Sequence, residues 1–477
     1  MSIHAPSHAG MHVHGTESDR QSWWILGLIG LAQFMVILDI TVVNVALPSI
    51  GQGLSFGASD LQWVVTVYVL FTGGLMLLGG RATDLVGRRR VFLMGLLVFT
   101  AASLASGLAW SPMALIVSRA AQGFGAALLL PSALAIITTT YSHGQRTVAL
   151  SIWGAIGSAG VAAGVLFGGI ITTALGWEWI FFINVPIGCV VAVGAVRLLP
   201  ADHPLPLGRL NLDLLGAVTV MVGLVTLVYA IVGTAQHGWG SGRTVILLGV
   251  AGVFLGAFIG IERIGRDPLV PPVTWRVRSL VSSAVLILGA TGILVGTFYL
   301  NTLYLQNVLG YSALKTGLSF LPLALIIFAA AHLASHLLSH AGSRVVALVG
   351  LALTAGGALL LAAAPDKASY ASDILPGFLV LGAGVGLVFV TATVTAMADV
   401  SHEKAGLASG IMTTAHELGA ALGVAVLAAV ATANGNPVSD YGNGFIVAAA
   451  IAAALAVVAA VALPVFRPEP GTHASMH

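Results

Sequence analysis

Charge is what this 477-residue chain has least of. Asp, Glu, Lys and Arg together make up 8% of it, where a soluble chain carries about a quarter. The formal net charge is only +2, and the basic residues are spread over short stretches rather than gathered in one patch, which argues against nucleic-acid binding. The single cysteine, Cys189, has no partner for an internal disulfide, and its apolar surroundings predict a packing role. No nucleotide-binding motif is present, which argues against ATP hydrolysis. The first apolar run is too long for a leader's core and has no small-residue cleavage site after it, so it is expected to stay as a membrane helix.

What the chain has is hydrocarbon. It is 58% hydrophobic, with a mean hydropathy of +1.00 and 59 glycines. The apolar residues fall into long runs, each near the roughly 20 residues that cross about 30 Å of lipid, and small residues let membrane helices pack closely. Fourteen segments are predicted, at 23–47, 61–80, 91–109, 112–137, 147–174, 178–198, 212–234, 243–263, 280–306, 315–340, 344–364, 374–398, 404–432 and 444–466. The fold class is therefore an all-α membrane protein. A polar tail, 1–22, carries His4, His8, His12 and His14 and reads as disordered; nothing in it fixes a metal geometry.

Lys and Arg set the expected orientation. With the N-terminus inside, Arg20, Arg81, Arg88, Arg89, Arg90, Arg146, Arg197, Arg209, Arg263, Arg266, Arg276, Arg278, Arg344, Lys404 and Arg467 all lie on inner stretches. The outer loops hold only Arg243, Lys315 and Lys367. Both termini are thus expected in the cytoplasm of a cell-membrane protein. The Pro- and Arg-rich stretch 264–279 marks a boundary between the first eight segments and the last six.

The few charges at membrane depth are the candidates for chemistry. Of 17 acidic residues, only Asp39 and Glu417 sit well within segments; Asp60, Asp213, Glu262 and Asp399 fall near ends. Arg119 is the lone base well within one, the others falling at segment ends or outside them. An intramembrane carboxylate costs several kcal/mol and marks a functional site by default. At about 1.5 Å per residue, Asp39 lies roughly 24 Å along the first segment and Arg119 about 10 Å in from the opposite surface, so the two reach similar levels. They can pair, directly or through Gln122, or each can bond elsewhere. Burial disfavours a charged carboxylate and a nearby guanidinium favours it, so such a pair suits proton capture and release. Glu417 can be a second proton or cation site, or a polar packing contact with His416.

Five stretches together carry a resemblance. LDITVVNVALP (38–48), GRATDLVGRRR (80–90), SRAAQGFGAALLLPSAL (118–134), GWEWIFFINVPIG (176–188) and AGLASGIMTTAHELGAALGVAVL (405–427) resemble the fourteen-helix drug:proton antiporters of the major facilitator superfamily. The resemblance implies two six-helix bundles, 23–200 and 280–466, related by a pseudo-twofold axis. Helices 7 and 8 are then an inserted pair (201–279), and 467–477 is a tail. It implies a gating motif at Gly80, Asp84, Gly87, Arg88 and Arg89 in the loop between helices 2 and 3, with the Asp attracted to a helix N-terminus of the other half. It implies cavity or helix-motif roles for Asn44, Gln122 and Gly123, and proton transfer involving Arg119. Gly160, Gly164, Gly168 and Gly169 match the family's antiporter motif on helix 5, although Val165 stands where a helix-bending Pro is usual. Ala82, Glu178 and His416 are further departures.

Two features stay open. His332, His336 and His340 recur every four residues and so share a helix face. A pH-sensitive gate is one reading; the blander one, an interfacial polar stripe, is preferred because no carboxylate accompanies them. Trp63, Tyr68, Phe298, Tyr299 and Tyr304 can line a cavity for planar cations or simply pack. The expected activity is proton-coupled export of amphipathic, in part cationic, organic compounds by a monomer, with the proton as coupling ion and no cofactor. A metabolite importer on the same fold, and a non-transporting sensor or scaffold, are the alternatives.

Overall fold

The structure is a computed structural model that describes residues 14–57, 60–141, 143–202, 213–265, 268, 270–365, 367–400, 405–431 and 437–466. His4, His8, His12, Arg209, Arg266, Lys404 and Arg467 lie outside the described residues. Among those described, 14 helices are long and apolar enough to cross a membrane. The first half comprises α1 (His14–Gly53), α2 (Trp63–Val86), α3 (Arg88–Gly107), α4 (Pro112–Thr140), α5 (His143–Ala174) and α6 (Trp179–Leu198). Next come α7 (Leu214–His237) and α8 (Gly242–Ile264). The second half is α9 (Arg278–Leu303), α10 (Ala313–Ala341), α11 (Ser343–Ala362), α12 (Leu375–Met397), α13 (Ala405–Val430) and α14 (Pro437–Ala462).

Local chemistry sets several starts. Ser111, Asp213, Ser241 and Ser312 each accept a hydrogen bond from the backbone N–H three residues on, which satisfies a donor that a helix start leaves bare. Pro112 follows Ser111 at the first helical position, where its missing N–H costs nothing. Two boundaries differ from expectation. α1 begins at His14, within the stretch expected to be disordered, because adding turns to an existing helix costs far less than nucleating one. The expected loop between helices 2 and 3 shrinks to Gly87 alone: α2 runs on through Asp84 to Val86, and α3 starts at Arg88. Gly87 turns the chain at φ 111°, a conformation that glycine alone adopts readily.

The two halves pack by the same plan. In the first, α1 lies on α5 and α6, α4 on α2 and α3, and α3 on α6. In the second, α9 lies on α13 and α14, α12 on α10 and α11, and α11 on α14. Each pair maps onto its counterpart when every number rises by eight, which is the internal repeat of two six-helix bundles. The bundles meet along α2 with α13 and α5 with α10, pairs that the same rotation exchanges. The inserted α7 packs on both α2 and α13, with Met221 and Leu224 against Gly74, while α8 leans on α7 and is otherwise almost bare.

Glycines set the closest approaches. A Cβ on Gly164 would fall 2.6 Å from Thr41 Cβ of α1, and one on Gly423 of α13 would fall 2.1 Å from Gly292 O of α9. Such smooth faces let membrane helices gain dispersion contacts that lipid would otherwise supply.

Candidate functional site

Asp39, Arg119 and Gln122 come together between α1 and α4. Arg119 Nη1 donates to Asp39 Oδ2 at 2.5 Å and to Gln122 Oε1 at 2.7 Å, and Gln122 Nε2 donates to Asp39 Oδ1 at 2.8 Å. Arg119 and Gln122 are three residues apart on α4 and so share a face. A fourth member comes from α6: Asn184 Nδ2 donates to Asp39 Oδ1 at 2.8 Å and to Ser103 Oγ of α3 at 3.0 Å, while Ser103 donates to Phe181 O. Asp39, Gln122 and Asn184 are 0% exposed and Arg119 is 1% exposed. This is a buried ion pair in which three donors hold one carboxylate.

The backbone completes the setting. Arg119 Nε donates to Val64 O of α2 at 3.0 Å. That reach depends on Gly123, where a Cβ would lie 2.4 Å from Tyr68 O, so a side chain there would push α2 away. The guanidinium carbon sits 4.1 Å from the Tyr68 ring centroid and 5.8 Å from that of Phe181, a cation–π arrangement. Asn44 lies apart from the cluster: it is buried, and its Nδ2 donates to Ile40 O on its own helix.

Glu417 is the second buried carboxylate, 7% exposed, on α13 where that helix crosses α2. Its Oε1 is 3.4 Å from His416 Nδ1, and its Cβ fills the space beside Gly73. Asp39–Arg119 and His416–Glu417 are both ion pairs, the second dependent on a protonated imidazole. His332, His336 and His340 lie exposed on one face of α10, the first two with ring centroids 5.7 Å apart. No group of three or more metal-ligating side chains is found among the described residues. Of the five aromatics, Tyr68, Tyr299 and Tyr304 are buried and Trp63 and Phe298 partly so. Cys189 is exposed on α6, against the packing role expected of it: its position turns outward from the bundle.

At the basic α2–α3 junction, Gly80 is partly buried, and Asp84 and Arg88 are exposed. No ion pair among the described residues includes Asp84. The residue seated at the N-terminus of α3 is Asp202, which accepts from the backbone N–H of Arg89 at 3.2 Å and of Arg90 at 2.9 Å. Asp202 lies so close that a Cβ on Gly87 would be 2.4 Å from its Cγ. The Arg89 guanidinium donates to Val196 O at 2.7 Å. On α5, Gly160, Gly164 and Gly168 lie against α1, while Gly169 meets the backbone of Leu314 on α10. Val165 is buried, and its carbonyl packs on Gly317.

Sequence reasoning missed Asn184, Ser103 and Asp202. The only signal for Asn184 was an amide within the apolar run GWEWIFFINVPIG; Asp202 lies beyond the predicted segments and offered none.

Two helical bundles repeating one packing plan, with an ion pair sealed inside the first, define a multi-pass membrane transporter. Residues 29–424 match the Major Facilitator Superfamily, and the chain belongs to it. It is 42% identical over 397 residues to the puromycin resistance protein pur8 of Streptomyces alboniger, covering 81% of this chain and 77% of that one. It is 40% identical over 380 residues to the cephamycin export protein CmcT of Amycolatopsis lactamdurans, covering 79% and 78%. Among solved structures, an auto-inhibited peptide transporter of the POT family superposes with a TM-score of 0.68 at 19% identity, covering 94% of this chain and 99% of that one. The likeness to that structure is one of fold. With such relatives, the chain is a secondary transporter rather than an enzyme.

Proposed function

We propose that this protein exports amphipathic organic compounds, antibiotics among them, across the cell membrane in exchange for protons, working as a monomer with both termini in the cytoplasm. The observation that carries the reading is the Asp39 cluster: a carboxylate sealed among Arg119, Gln122 and Asn184. A carboxylate in such a place serves a purpose that packing alone does not need. Asp39 takes and releases the proton; Arg119 and Gln122 set how tightly it is held, and Glu417 is a second proton or cation site. Relatives named for puromycin resistance and cephamycin export support the substrate class and the direction.

The bundles are closed at the end remote from the α2–α3 junction, where Gly169 meets Leu314 and Gln306 Nε2 donates to Val45 O at 2.9 Å. At the junction end, α4 and α5 carry no comparable packing against α12 or α13 among the described residues. With the basic loops inside, this is a state facing the cytoplasm. Asp84 and Arg88 latch that side in the opposite state, and the helix 5 glycines let α1 and α5 slide.

The test is transport by purified protein in lipid vesicles under a proton gradient, with puromycin, a cephamycin and ethidium as probes. At least one probe should accumulate against its gradient as protons flow the other way, and Asp39→Asn should reduce this to the level of protein-free vesicles. Undiminished gradient-driven transport by Asp39→Asn would end the proposed coupling.

A further inference from the structure

The His416 side chain is 44% exposed, although it lies roughly 16 Å from the start of α13 at about 1.5 Å per residue, well inside the membrane. Its neighbours fix where it points. Ser409, Thr413, His416, Ala420, Val424 and Leu427 recur at three- and four-residue spacing and so share one face of α13. α2 runs along one edge of that face, with Leu77 beside Gly410 and Gly73 beside Glu417. α9 runs along the other, its backbone against Gly419 and Gly423. Toward the closed end Ala420, Val424 and Leu427 are buried, while Ser409, Thr413 and His416 are partly exposed. The inner half of the face therefore borders the cleft between the bundles.

Three groups meet on it. His416 Nδ1 is 3.4 Å from Glu417 Oε1, and the Phe389 ring of α12 lies 5.9 Å from the imidazole, centroid to centroid, at 51°. A charge-assisted hydrogen bond spans roughly 2.7–2.9 Å, so Glu417 is held loosely and is open to a competing cation. Of the helices packed around α13, α12 carries no titratable side chain. α9 has only Arg278 and Tyr299, toward its ends, α7 has Tyr229 and His237, and α14 has Asp440 and Tyr441 at its start. α2 brings Tyr68, with Arg81 and Asp84 at its inner end. His416 is thus the cationic group that stands against Glu417. A carboxylate behind two ring faces suits a positive charge attached to a planar ring.

We propose that Phe389, His416 and Glu417 form a subsite for an organic cation bearing an aromatic ring, and that His416 guards it. A protonated His416 is the cation that Glu417 holds. The incoming substrate displaces it, and the imidazole gives its proton to water in the cytoplasm-facing cleft, so one positive charge leaves as one arrives. The exchange is reciprocal: a proton on His416 weakens substrate binding by the factor with which substrate weakens the proton. Affinity therefore rises as pH rises through the imidazole range. The proposal rests on the reading of Glu417 as a cation site and deepens it by naming the ligand and the group it displaces.

The test is equilibrium binding of ethidium, a planar aromatic cation, to purified protein in detergent with no gradient. Wild-type affinity should be about tenfold higher at about pH 8 than at about pH 6. His416 is half exposed, so His416→Gln should keep the fold, and it should shrink that ratio to less than about threefold. Phe389→Leu should weaken binding about threefold at both pH values. The full pH ratio in His416→Gln would overturn the displacement while leaving Glu417 as a cation site. Unchanged binding by Glu417→Gln would instead remove the cation site itself, and no saturable binding by the wild type would overturn the ligand class.

Discussion

At the scale of residues, the pairing of Asp39 with Arg119 bears first on stability. Both side chains are sealed from water, so removing one leaves the other as an uncompensated buried charge, at a cost of about 3–5 kcal/mol. Arg119→Ala should therefore lower the thermal unfolding temperature in detergent sharply, and adding Asp39→Asn should recover a substantial part of the loss. An unchanged or lower temperature for the double variant would mean that Arg119 acts through packing against Tyr68 and Phe181 rather than through charge. Asp39, Arg119 and Gln122 were legible in the sequence because polar groups in hydrocarbon stand out and helix rise fixes their depth. Asn184 was not, because a neutral amide is a weaker anomaly and nothing in one dimension says which helix α6 will face. Tyr68 was seen only as one aromatic among several; its place beneath the Arg119 guanidinium is a property of three dimensions.

At the scale of elements, glycines divide into those a neighbouring helix needs and those it does not. Gly423 lies against the backbone of Gly292, where a Cβ would come within 2.1 Å of the carbonyl oxygen. Gly423→Ala should force α9 and α13 apart and cost about 1–3 kcal/mol, read as a lower unfolding temperature. On α8, a Cβ added at Gly252, Gly256 or Gly260 would meet nothing within 4 Å, so Gly256→Ala should leave that temperature unchanged or raise it. The existence of every helix was readable from hydropathy, since lipid demands long apolar runs. Ends were less readable, and the α2–α3 junction most of all. Its charged residues suggested a loop, yet helix persists to Val86, because GRATDLV has no residue that breaks it before Gly87. The seating of Asp202 on α3 needed the return of a distant segment.

At the scale of the molecule, the two bundles touch at one end and, among the described residues, have no comparable packing of α4 and α5 on α12 and α13 at the other. Val45 and Gln306 span the closed end. In a Cys189→Ser background, Val45→Cys with Gln306→Cys, bridged by a short bifunctional reagent, should stop gradient-driven transport of whichever probe the unmodified protein carries, and a cleavable reagent should restore it on reduction. Continued transport by the bridged protein would show that this end does not part. The bundle repeat was implied by family resemblance alone, since the two halves share a packing plan more clearly than they share residues. One consequence follows from where the charges sit. Asp39 and its partners in α4 and α6 all ride on a single rigid block, so the pivoting that opens one mouth and shuts the other need never tear the salt bridge apart. On the cycle proposed above, what alternates is which reservoir can wet it, as when a lamp stays lit inside a revolving door and only the room it shines into changes.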